Sequence, residues 1–245
     1  MDAVKNQPLV GSSLSGSYAS DLDHIARAVI SARVLVDQAL AHIKKISSTE
    51  KGLSPALLDE QQLVCYETSF CVADLSAIEA LLNYTQQVLE RDALSGWVAC
   101  QFGSEALKAV AGRLLARPAD YGLTMATICA SFETFDNTGI AAHYLSAKMM
   151  AALGRQLIDR EGDFLPSNLD SEKEMIRDTF RRFATDVVMP LAEDIHRQDI
   201  DIPESILQPL REMGCFGISI PERFDGLQPD AGDDSLYMIL VTEEL

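Results

Sequence analysis

The chain has 245 residues with a net charge of −17 and a mean hydropathy of +0.05. Acid exceeds base on both sides of residue 170, which removes the basic footprint that nucleic-acid binding needs. No run of 18 apolar residues exists to span a bilayer, and the first twenty residues lack the apolar core of a secretory signal. Five cysteines without a C-x-x-C spacing, at 65, 71, 100, 129 and 215, read as reduced, buried thiols of a cytoplasmic protein. The histidines at 24, 42, 143 and 196 are scattered and give no metal-ligand spacing.

Residues 1–17 are polar and rich in Gly and Ser, and read as a disordered start. From 18 to 160 the pattern is helical. Leu22, Ile25, Val29, Ala32, Val36, Leu40 and Ile43 step by three and four along one face, with Ser20 and Asp23 placed as a capping box. The stretch Ser47–Gly52 reads as a loop. Ser54-Pro55 then opens a second helix at N-cap and N1, carrying Val64, Cys71, Leu75, Ile78, Leu82 and Leu89. A third helix is expected over 95–117 and a fourth over 119–160, the latter open to a break at Asp136-Asn137-Thr138-Gly139. Amphipathic helices joined by short loops predict an all-α fold, here an antiparallel bundle.

Glu67 lies on the apolar stripe of the second helix. It reads either as an acid with a raised pKa or as a carboxylate paired with an arginine, and pairing is the commoner fate of such a residue. Met149 and Met150 read as core filling.

Residues 161–170, EGDFLPSNLD, form the linker. Ser171 and Glu174 then have capping-box spacing, followed by the stripe Ile176, Phe180, Phe183, Val187, which Pro190 is expected to end. Pro203 is placed at N1 of a further helix, with Pro209 inside it as a kink. Gly214 takes the C′ position, Cys215–Ile220 reads as buried extended chain, and Asp225-Gly226 as a turn. Asp233-Asp234-Ser235 caps a last helix that reaches Leu245 with no stop signal, which reads as a truncation at residue 245 that leaves the domain 171–245 incomplete.

This last segment resembles the start of the acyl-CoA dehydrogenase N-terminal helical domain. The resemblance rests on Arg177–Ala184 with Pro190-Leu191-Ala192, on Ile202-Pro203, on Met213–Leu227, and on Val241–Leu245. Its most specific part is Gly214-x-x-Gly217-Ile218-x-x-Pro221-Glu222-x-Phe224-x-Gly226. Asp225 departs from the glycine that many relatives carry there, and Pro209 is a second departure. The resemblance implies FAD, an acyl-CoA substrate desaturated between its α and β carbons, an acceptor such as electron-transfer flavoprotein, and a homo-oligomer. The family's flavin contacts and catalytic base belong to segments that have no counterpart here, so no catalytic, cofactor-binding or metal residue is assigned. Glu222, Glu243 and Glu244 fall on scaffold positions. A helical extension as long as 18–160 resembles the branch of the family that converts (2S)-methylsuccinyl-CoA to mesaconyl-CoA. Another acyl-CoA, or a non-catalytic helical scaffold, stands as the alternative.

Overall fold

Buried apolar stripes at helical spacing decide which segments pair. The computed structural model describes residues 18–161, 165–230 and 236–245. The expected disorder of 1–17 and the cap at 233–235 lie outside those residues. The chain divides into two compact units, one ending at Asn168 and the other spanning Leu169–Leu245.

In the first unit the helices are α1 (Ala19–Ile46), α2 (Pro55–Glu60), α3 (Gln62–Val88), α4 (Leu94–Ala116), α5 (Met125–Asn137), α6 (Ile140–Tyr144) and α7 (Ala147–Asp159). α1 packs against α3, α4 and α5, and α3 packs against α4, so the all-α bundle expected from the spacing is present. Ile25 and Val29 of α1, Cys71 and Leu75 of α3, Leu107 of α4 and Ile128 of α5 have no exposed surface. Each large aliphatic side chain so buried contributes about 1.5–3 kcal/mol.

Several boundaries differ from the sequence reading, each for a local reason. α1 starts earlier than Ser20: Tyr18 is its N-cap residue and makes no side-chain cap. The Tyr18 ring packs on the core, over Gly96, and that burial draws the helix start upstream. Ser20 lies inside the first turn, where its carbonyl meets His24 Nδ1 at 2.7 Å. The expected loop contains a two-residue antiparallel ladder, Ser48-Thr49 against Gly52-Leu53. Ser54 caps α2 as predicted, accepting from the Leu57 amide. α2 buries none of its residues, and the helix breaks at Gln61 before α3 begins. The predicted fourth helix is a 3-10 turn, Pro118–Tyr121, followed by three helices. Thr124 caps α5, Gly139 at φ +72° breaks the chain where predicted, and Ser146 caps α7.

Polar contacts tie down the end of this unit. Tyr84 Oη donates to the Pro166 carbonyl at 2.7 Å, Arg91 donates to the Ser167 carbonyl, and Asn168 Nδ2 donates to Gln87. Asp92 accepts from the Leu94 amide and forms an ion pair with Arg160 at the end of α7.

The second unit holds α8 (Ser171–Phe183), a π-turn (Ala184–Val188), α9 (Met189–Gln198), α10 (Glu204–Glu212) and α11 (Leu236–Glu244). Asp170, not Ser171, is the N-cap of α8, with its carboxylate accepting from the Lys173 amide at 2.9 Å. Aspartate accepts as readily as serine and adds a favourable charge at the helix N-terminus. Pro190 does not end the helix. It falls in the first turn of α9, directly after the π-turn, where a widened ladder absorbs the missing N–H. Pro203 is the N-cap residue and Glu204 the first helical one. Pro209 lies inside α10, which remains one helix. Phe180, Ile206, Leu210 and Val241 form a small buried core.

The hydrogen bonds from Arg160 hold the Asp92 carboxyl below the ordinary carboxylate range. A depressed folded-state pKa gives stability that is present above the unfolded value near 4 and is lost as pH falls through the folded one. Asp92→Asn should lower stability by about 1–3 kcal/mol at neutral pH. In urea melts followed through Trp97 fluorescence, the gap from wild type should narrow as pH falls below the unfolded value near 4.

Candidate functional site

Three places gather polar groups. The first is the α3–α4 seam, where Glu67 and Asp74 face Arg113 and Arg117. Arg113 Nε lies 3.4 Å from Glu67, Arg113 Nη1 2.5 Å from Asp74, and Arg117 Nη1 3.7 Å from Glu67. The Arg113 guanidinium also sits 5.3 Å from the centre of the Phe70 ring. Glu67 is therefore a paired carboxylate, one of the two fates its position allowed. Held between two arginines, it is an anchor between helices.

Beside this network lies Cys71, wholly buried, whose thiol burial pushes up to about 11 against a smaller opposing pull from Arg113. Cys100 is likewise pushed up to about 12 by burial. Neither forms the thiolate that nucleophilic chemistry needs at neutral pH.

The second place is a shallow cleft of about 290 Å³ lined by Asp21, Thr138, Gly139, Ile140, His143 and Tyr144. Tyr144 Oη donates to Asp21 at 2.8 Å, and burial together with that bond keeps the phenol protonated. The cleft does not fit FAD: a carboxylate lines it, and no arginine or lysine is there to meet a pyrophosphate.

The third is the Gly-rich stretch after α10. Gly214 has φ +75°, and the Leu227 side chain occupies the space where its Cβ would stand, 2.6 Å away. The chain then folds back on itself. The Leu227 amide donates to the Gly217 carbonyl at 2.9 Å, Gln228 to Ile220 at 3.0 Å, and Glu222 to Gln228 at 2.9 Å. Gly226 packs so tightly that an added Cβ would lie 1.8 Å from the Ile220 carbonyl oxygen. Residues 215–220 are therefore not buried extended chain. Cys215–Gly217 is a 3-10 turn, with Phe216 56% and Ile220 41% exposed. The backbone bonds of this closed loop outweigh the burial that a strand would have gained. Asp225 adopts φ +63°, a left-handed conformation that aspartate tolerates and glycine prefers, which accounts for the departure noted in the sequence.

The remaining candidates do not converge. Glu222 begins the 3-10 turn Glu222–Phe224 and is exposed, as is Glu243. Glu244 makes two hydrogen bonds with Arg181, at 2.7 and 2.8 Å, tying α11 to α8. Met149 packs on the core, but Met150 is 44% exposed and fills no core space. Among the described residues no group of three or more His, Cys, Asp or Glu could hold a metal ion.

Residues 170–245, the unit with the closed loop, match the family model described as acyl-CoA dehydrogenase, N-terminal domain. This unit is similar to the N-terminal domain of the acyl-CoA dehydrogenases. The (2S)-methylsuccinyl-CoA dehydrogenase of Cereibacter sphaeroides is 31% identical over 257 aligned residues, covering 99% of this chain and 43% of that protein. The glutaryl-CoA dehydrogenase of Desulfococcus multivorans is 32% identical over 78 residues, covering 32% of this chain and 20% of that protein. The chain thus spans less than half the length of either dehydrogenase.

Two measurements bear on these sites. At pH 8, Ellman's reagent should titrate the exposed Cys129 in the folded chain and leave Cys71 and Cys100 unreacted until denaturant is added. Gly226→Ala should cost about 1–3 kcal/mol through overpacking, with faster hydrogen exchange at the amides of Glu222, Leu227 and Gln228 and none of that change in α3 or α4.

Proposed function

We propose that this chain is the N-terminal portion of a flavin-dependent dehydrogenase that α,β-desaturates an acyl-CoA thioester, with (2S)-methylsuccinyl-CoA converted to mesaconyl-CoA. One observation carries the reading. The methylsuccinyl-CoA dehydrogenase aligns along 99% of the chain, helical extension included, whereas the glutaryl-CoA dehydrogenase aligns along 32%. In this proposal residues 18–160 are the extension, 161–170 the linker, and 171–245 the opening of the dehydrogenase helical domain. FAD supplies the hydride acceptor of such a reaction, and an electron-transfer flavoprotein takes the electrons on in the cytoplasm. Neither the flavin contacts nor the base that removes the α-proton is assigned to a residue here. The residues of this chain supply scaffold: the closed loop at 214–228 turns the backbone out of α10, and the Arg181–Glu244 bonds fix α11 on α8.

The test is a visible spectrum of the native gene product, followed by turnover with an artificial electron acceptor. The expected result is a flavin spectrum and at least tenfold higher kcat/KM for methylsuccinyl-CoA than for glutaryl-CoA. A preference for glutaryl-CoA would move the assignment to the second relative's substrate. A colourless product would reduce the reading to a helical scaffold.

A further inference from the structure

We draw no further inference here: the strongest candidate, the shallow cleft between the first turn of α1 and the α5–α6 break lined by Asp21, Thr138, Gly139, His143 and Tyr144, belongs to the site already described, where the Tyr144 hydroxyl donates to the Asp21 carboxylate and nothing in the structure selects a ligand.

Discussion

The first unit depends on α1 being buried against three neighbours at once. One stripe on this helix meets α3, α4 and α5, and several of its residues keep no exposed surface. Removing bulk anywhere along that stripe opens a cavity shared by two helix pairs, which is why such a core is felt as one cooperative body. The second unit has no comparable helix. Its core is Phe180, Ile206, Leu210 and Val241, with a fringe of half-buried residues, and its cohesion leans on backbone closure at 214–228 and on the Arg181–Glu244 bonds.

Charge acts as a second organiser. Three acidic residues near the core of the first unit are answered by an arginine from another helix, Glu79 by Arg33, Asp74 by Arg113 and Asp92 by Arg160, and a fourth, Asp21, by the Tyr144 hydroxyl. The unanswered acid lies on the surface, where it repels other copies and keeps the chain in solution.

The helical stripes of the first unit were legible because 3.6-residue spacing over five or more turns has no competing explanation. Ser54, Gly139 and Gly214 were legible because each is the residue type that its backbone position demands. The misreadings share another cause. Tyr18, Pro190 and Cys215–Ile220 are placed by partners distant in sequence, or by a backbone ladder that leaves no side-chain pattern. Burial of Tyr18 over Gly96 overrides the Ser20 cap, a π-turn carries the helix past Pro190, and the bonds Gly217–Leu227 and Ile220–Gln228 curl a segment whose apolar run suggested a strand. Thr124 and Ser146 were ordinary cap residues hidden inside one long apolar pattern. For the candidate sites, the position of Glu67 was legible as unusual, but its two arginines were not, since they come from the following helix about 50 residues on.

The polar clamp at the end of the first unit changes where the chain can be cut. By composition, the natural place to divide it is the Gly- and Pro-containing run that begins at Glu161. Yet Pro166, Ser167 and Asn168 of that linker are held by Tyr84, Arg91 and Gln87 respectively, so this part of the linker is bonded to the bundle. An excised bundle ending at residue 161 would strip a phenol, an amide and a guanidinium of their protein partners at one end of α3. One ending after Asn168 keeps them, and the C-terminal segment still retains Asp170 to cap α8.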